Sequence, residues 1–185
     1  MFHYTALIWL PEIIDARQIR LGELPVDPEL SYDQVPKGVN LTTNPSPETN
    51  IRIWAEVRIV DKTDVRLTVS IPENELVTFR QFRKKFNVRE KYLKILCPYE
   101  ERSKWFYVYR PISLEEIVKF ERKEPNGKYK ELTPADLNSL CIQIKQERDR
   151  AIDFKIITDG RLKGAKALRQ REGVSPSWLL SKQEG

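Results

Sequence analysis

Residues that commonly build metal and catalytic sites are scarce in this chain of 185 residues. It has one histidine, His3, and two cysteines, Cys97 and Cys141, which lie far apart and outside any CxxC pattern. Structural zinc sites need several convergent cysteine or histidine ligands, usually in closely spaced pairs. We therefore expect no metal and no cofactor. His3 is expected to be a packed or surface residue, and Cys141 a small core residue.

Sequence motifs of enzymes are also missing, since no GxSxG, Walker loop, GxGxxG or HExxH pattern occurs. The remaining catalytic hypothesis is metal-dependent phosphodiester cleavage. For this reaction Glu121 and Lys123 supply an E-x-K spacing, with Glu115 and Glu116 upstream. Charged residues make up 32% of the chain, so such triplets arise by chance. The sequence favours a non-catalytic protein and leaves a metal-dependent nuclease as a remote alternative.

Long hydrophobic runs are absent, and none approaches the ~20 apolar residues that a membrane helix needs. The apolar N-terminal run FHYTALIWL is short, lacks a basic start and leads directly into Pro11. It therefore does not resemble a signal peptide. With 40% hydrophobic residues and a mean hydropathy of -0.54, the composition predicts a cytoplasmic globular protein that does not contact membranes.

Hydrophobic patterning predicts an α+β fold with a mainly antiparallel sheet, a few packed helices and a basic helical C-terminal tail. Helical spacing predicts a helix at about 77–87, and spacing with capping residues at Thr133 and Asp136 predicts another at about 134–152. Ser113 with Glu116 predicts a short helix from Leu114. Apolar runs and alternating patterns predict strands at 2–10, 51–60, 65–71 and 104–110. The second and third of these are expected to form a hairpin.

The predicted organisation is a single α+β domain over 1–153, containing a proline-rich loop at 22–50, and a basic tail over 154–185. Five of the twelve prolines fall in the loop, a density that no helix or long strand is expected to tolerate. Its apolar residues suggest that it lies across a surface of its own domain or of another subunit. The segment 117–131, around the turn Pro125-Asn126-Gly127, is compatible with either a helix or a charged hairpin.

The segment 76–94, LVTFRQFRKKFNVREKYLK, combines an apolar helix face with a cationic one. Phe79, Phe82 and Phe86 recur at i, i+3 and i+7, which predicts that they pack together. The segment holds seven basic residues and one acidic residue, Glu90. A helix stabilised only by its own ion pairs would mix both signs at i, i+4. An anion-binding helix is one interpretation, and an ordinary solvated face with long basic side chains is the other.

A second basic region lies in the C-terminal tail, where Lys163, Lys166, Arg169 and Arg171 fall in a predicted helix. Gly173 is expected to end this helix, and a second short helix follows it. Two short helices around a glycine-containing turn have the outline of a helix-turn-helix. The second helix carries few side chains that could read bases, so the tail is only helix-turn-helix-like.

Trp54 stands between Arg52 and Arg58 on the predicted outward face of the strand at 51–60. An aromatic ring among arginines can stack on a nucleic-acid base. The alternative is that Trp54 packs under its cross-strand neighbours. A pI of about 9.1 with a net charge of +5 permits binding to a polyanion without requiring it.

These patterns predict a non-catalytic nucleic-acid-binding accessory protein, or a subunit of a nucleoprotein complex, with RNA and DNA left open. Phosphates would be contacted through the basic helix at 77–94, with a second contact from the tail. The alternative is an assembly subunit whose proline-rich loop and tail dock on a larger protein complex. The residues predicted to contact phosphates on the helix are Arg80, Arg83, Lys84, Lys85, Arg89 and Lys91.

Overall fold

The computed structural model describes residues 1–24, 34–46, 61–88, 90 and 99–149. Within these residues the helices are α1 (Leu10–Ala16), α2 (Phe79–Phe86) and α3 (Pro134–Asp149). Short 3₁₀ turns cover Leu7–Trp9, Glu73–Glu75, Tyr99–Lys104 and Leu114–Glu116. The strands are β1 (Phe2–Thr5), β2 (Gln18–Ile19), β3 (Gly22–Glu23), β4 (Lys37–Thr42), β5 (Val65–Val69), β6 (Val77–Thr78), β7 (Trp105–Val108), β8 (Ile112–Ser113), β9 (Ile117–Lys123) and β10 (Tyr129–Glu131).

The main sheet is antiparallel and runs in the order β10, β9, β5, β1, β4, β7, β6, with β3 paired to β4. β2 and β8 form a separate antiparallel pair. The predicted α+β class with a mainly antiparallel sheet is therefore confirmed. The predicted helical tail at 154–185 lies outside the described residues. None of the described helices is long and apolar enough to cross a membrane.

The main core lies between one face of this sheet and the helices α1 and α3. It contains Val39 and Leu41 of β4, and alternate residues of β5, all nearly inaccessible to solvent. Side chains alternate between the two faces of a strand. Along β7 this alternation directs Phe106 and Val108 into the core. Its other side chains point to the opposite face, where α2 packs.

A buried ion pair lies on the same sheet face as α2, closer to the β10 edge. Arg66 of β5 is directly opposite Glu121 of β9, and its Nε and Nη2 donate to the carboxylate at 2.8 and 2.7 Å. The guanidinium carbon lies 4.3 Å from the ring centroid of Tyr129, and burial raises the pKa of that phenol to about 12. Removing one partner would leave an uncompensated buried charge, so the pair opposes slippage between the two strands.

The predicted strand at 2–10 is wrong beyond Thr5. Leu7–Trp9 forms a 3₁₀ turn and α1 begins at Leu10. Pro11 occupies the first turn of α1, where its missing N–H breaks no intrahelical hydrogen bond. Leu10 and Ile13, three residues apart, are buried on the same helix face. A short apolar run such as this one has no periodicity that separates a strand from a helix.

The predicted hairpin between 51–60 and 65–71 is also wrong. β5 does have the predicted buried face, since Val65 and Leu67 are fully buried and Val69 is 3% exposed. However, β1 pairs with one edge of β5 and β9 with the other, so no edge is left for a hairpin partner. Residues 51–60 themselves lie outside the described residues.

The prediction that 22–50 contains no long strand is wrong as well. β4 has six residues and lies between β1 and β7 in the sheet. Pro36 precedes the first residue of β4 and therefore removes no hydrogen-bond donor from the ladder. The prolines at 25, 28 and 47 lie outside the described residues. At least Lys37–Thr42 is thus part of the sheet and cannot act as a docking loop.

Other local predictions agree with the structure. The segment 117–131 forms the charged hairpin of β9 and β10, which was one of the two open alternatives. Ser113 and Glu116 make the predicted capping box, although the helix after it is a single 3₁₀ turn. The hydroxyl of Thr133 accepts from the backbone N–H of Asp136 at 3.2 Å, which caps α3 as predicted. Leu140, Cys141 and Ile144 are buried on its inward face.

Gly38 is required where β3, β4 and β7 approach closely. A Cβ added there would lie 2.8 Å from Leu24 Cδ1 and 3.0 Å from the carbonyl oxygen of Val108. We expect Gly38→Ala to lower the free energy of unfolding by about 1–3 kcal/mol, because the strands must separate. Urea denaturation followed by circular dichroism measures this change.

The paired glycine offers a matched control. Gly22 lies directly across from Gly38, but a Cβ at Gly22 would have its nearest neighbour at 3.9 Å. Gly22→Ala should therefore have little effect on stability. Equal losses in the two variants would contradict the close approach at Gly38.

Candidate nucleic-acid interface

α2 begins directly after β6, the last strand in the sheet order, and capping residues define both ends of the helix. Thr78 Oγ1 accepts from the backbone N–H of Gln81 at 3.3 Å, and Gln81 Oε1 accepts from the N–H of Thr78 at 2.8 Å. This reciprocal capping box starts the helix. Asn87 then adopts a left-handed conformation with φ 48° and ends it. The predicted basic helix at 77–94 is therefore shorter than expected.

Aromatic stacking attaches α2 to the sheet. Phe79 and Phe82 are buried, and the Phe82 ring stacks on Tyr107 of β7 with centroids 4.1 Å apart and planes at 23°. Phe86 meets Tyr109 edge-on, with centroids 6.0 Å apart. The predicted apolar face at i, i+3 and i+7 is confirmed. Because the Phe82 and Phe86 rings contact Tyr107 of β7 and Tyr109 just after it, the opposite face of the helix has a fixed orientation.

The opposite face of α2 presents Arg80, Arg83, Lys84 and Lys85, which are all exposed. Arg83 makes an ion pair with Glu90 at 3.2 Å. Lys85 places its ammonium 4.3 Å from the ring centroid of Tyr109, a cation–π contact. Within the described part of the chain, Arg80 and Lys84 make no ion pair. They are four residues apart and thus neighbours on the helix surface.

Two residues beside α2 were missed by sequence reasoning. The Arg102 side chain is only 12% exposed and donates to Glu90 Oε1 at 2.9 Å. Its guanidinium carbon lies 5.8 Å from the ring centroid of Phe79 and 5.3 Å from that of Tyr99. Tyr99 itself is 79% exposed. The available sequence signal was an aromatic residue in the charged run YEERSK, outside any apolar periodicity.

The other predicted contact residues cannot be placed beside α2. Whether they converge on it stays a prediction, and so does the role of Trp54 as a stacking residue. The residues that lie outside the described part of the chain are Arg52, Trp54, Arg58, Arg89, Lys91, Lys163, Lys166, Arg169 and Arg171.

Each carboxylate that was predicted to belong to a nuclease site accepts hydrogen bonds from a different arginine. Glu115 accepts from Arg17 at 2.6 Å, Glu116 from Arg110 at 2.8 and 2.6 Å, and Glu121 from Arg66. The remaining member of the hypothesis, the Lys123 ammonium, donates to the hydroxyl of Thr63 at 3.0 Å. Among the described residues, no group of three or more histidine, cysteine, aspartate or glutamate side chains could hold a metal ion. The E-x-K spacing therefore does not correspond to a metal site in this part of the chain.

The surroundings of His3 and Cys141 indicate that both residues have structural roles. His3 Nδ1 lies 3.0 Å from the carbonyl oxygen of Asn40, and burial lowers the pKa of its imidazole. Cys141 is a buried free thiol in the main core, as predicted, and burial raises its pKa. A thiol with a raised pKa is a weak nucleophile at neutral pH.

Comparison of the chain with known protein families, with curated protein sequences and with solved structures gives no match. Function must therefore be inferred from the geometry and charge of α2 and its surroundings.

Phe82 is the side chain on which the position of α2 depends most, since it is 1% exposed and stacks on Tyr107. We expect Phe82→Ala to lower the free energy of unfolding by about 3–5 kcal/mol, because a large buried ring leaves a cavity. Lys84→Ala, on the exposed face of the same helix, should stay within about 0.5 kcal/mol of wild type. Urea denaturation compares the two, and a tolerated Phe82→Ala would show that α2 is not held by this stack.

Glu116 should make stability depend on pH. Hydrogen bonds from Arg110 and from the backbone N–H of Ser113 hold the pKa of Glu116 at about 2, below its usual 4.5. The stabilisation is fully present above pH 4.5 and is lost as the pH falls toward 2. The difference in unfolding free energy between wild type and Glu116→Gln should therefore shrink over this range.

Urea titrations at a series of pH values measure that difference. The control is Glu73→Gln, a carboxylate that is exposed on the neighbouring 3₁₀ turn. That substitution removes the same negative charge but no hydrogen bond to Arg110. A difference between wild type and Glu116→Gln that stays constant from neutral pH to pH 2 would contradict the assigned hydrogen bonds.

Proposed function

We propose that this protein is a non-catalytic nucleic-acid-binding protein that contacts phosphates through the exposed face of α2. The observation that carries the proposal is the neighbouring pair Arg80 and Lys84, which is exposed and makes no ion pair within the described residues. Like charges at i, i+4 destabilise a helix by about 0.2–0.5 kcal/mol. A bound phosphate would remove this repulsion.

The position of Arg80 also supports a role in binding. Basic residues in the last helical turn, such as Lys84, favour the helix dipole by about 0.3–1 kcal/mol. Arg80 is the second residue of α2 and lies in the first turn, where the same dipole disfavours a cation. Helix stability therefore explains Lys84 but not Arg80. An external anion would stabilise both side chains together.

The rest of the surface of α2 suits a backbone-binding role. Three basic residues follow one another at Arg83, Lys84 and Lys85, and the ring contacts of the opposite face keep the helix from rotating. Contacts of this kind position a nucleic acid through its phosphates and do not read its sequence. Affinity should accordingly fall steeply with salt.

The test is fluorescence anisotropy of the full chain with labelled single-stranded and duplex oligonucleotides, titrated across salt concentrations. We expect the double variant Arg80→Glu/Lys84→Glu to bind at least about tenfold more weakly at low salt, because two phosphate contacts are lost and replaced by repulsion. The slope of log affinity against log salt should become shallower by about 1.4–1.8.

The matched control places the same charge change at the far edge of the sheet. Lys128 and Lys130 are exposed in the hairpin of β9 and β10, at the opposite end of the strand order from β6 and α2. Lys128→Glu/Lys130→Glu should retain most of the affinity. Equal losses in the two double variants would indicate a response to net charge alone. Absence of binding by wild type at low salt would overturn the proposal.

A further inference from the structure

We propose that Tyr99 is a stacking platform for an unpaired base, so that the nucleic acid bound along α2 is single-stranded. This inference rests on the function proposed above and assigns the strandedness of the ligand. Tyr99 is 79% exposed, more than any other large hydrophobic side chain within the described ranges. Base–aromatic stacking is a large and sequence-tolerant contribution to single-strand binding.

Arg102 fixes where this ring lies. Its guanidinium carbon lies near two rings, 5.3 Å from the centroid of Tyr99 and 5.8 Å from that of the buried Phe79. The hydrogen bond to Glu90 and the low exposure of Arg102 hold the guanidinium in place. With the cation on one side and most of its surface exposed, the Tyr99 ring offers its other face to solvent. That exposed face is where a base would stack.

Tyr99 lies at the start of a continuous track of basic side chains. Glu90 bridges Arg102 and Arg83, at 2.9 and 3.2 Å, so Arg83 is on the side of α2 that faces Tyr99. Successive helix positions are about 100° apart, which places Arg80 and then Lys84 progressively further around the helix from Arg83.

This arrangement fits a single strand better than a duplex. A strand crossing α2 could place phosphates against Arg80 and Lys84 and turn one base onto Tyr99. In a duplex the bases are stacked on one another and paired, so a tyrosine outside the grooves reaches only the backbone. An acidic protein surface would pair with the cations equally well but need not present a flat ring to Tyr99, whereas every unpaired base has one.

The experiment measures binding of the full chain to three probes: a labelled oligothymidylate, a duplex of the same length and poly-glutamate. Tyr99→Ala should weaken oligothymidylate binding by at least about fivefold, with an unchanged salt slope, because stacking is lost and no phosphate contact is. Tyr99→Phe keeps the ring and should restore the affinity. Since Tyr99 is exposed, both variants should unfold at the wild-type temperature.

The outcomes separate this inference from the function on which it rests. If Arg80→Glu/Lys84→Glu weakens binding and Tyr99→Ala does not, the stacking platform is wrong and the phosphate surface stands. An equal loss for duplex and single strand in Tyr99→Ala would also overturn stacking. If neither variant affects nucleic-acid binding, both proposals fail. Tyr99-dependent binding of poly-glutamate without binding of oligonucleotides would identify an acidic protein as the partner and overturn both.

Discussion

Burial of both faces of β7 is the constraint on which the sheet and the candidate interface both depend. One face contributes Phe106 and Val108 to the main core, and the other presents Tyr107 to Phe82 of α2. The helix is only eight residues long, too short to be stable by itself in water. Its orientation, and hence the direction of its basic face, follows from aromatic packing on this one strand.

The described arginines divide into two groups by what neutralises them. Arg66, Arg110 and Arg102 each donate to a carboxylate that lies far away in sequence or on another element. These pairs connect strands and turns of the fold. Arg80 has no such partner within the described residues. The same is true of Arg20 and Arg122, but Arg80 differs from them in lying on a helix face together with further basic residues.

Local sequence patterns predicted local structure well, and they failed where one pattern is compatible with two different structures. The spacing of Phe79, Phe82 and Phe86 correctly indicated a packed helix face. The apolar run from Phe2 to Leu10 has no period that distinguishes a strand from a helix. The chain changes from strand β1 to helix α1 within this run. Proline density misled over 22–50, because a proline excludes a strand only where its N–H would be needed, and Pro36 precedes β4.

The sequence by itself determined the alternation of β5 and β7, the N-terminal cap of α3 and the cationic side of α2, since each depends on neighbours within one or two turns. Only the tertiary structure decided which strands pair, which carboxylate neutralises which arginine, and that Tyr99 is exposed beside the basic helix. Arg66 and Glu121 are 55 residues apart, and their contact follows from strand register. Hydrophobic periodicity fixes the face of each strand but not its partner, so contacts across the sheet cannot be derived from it.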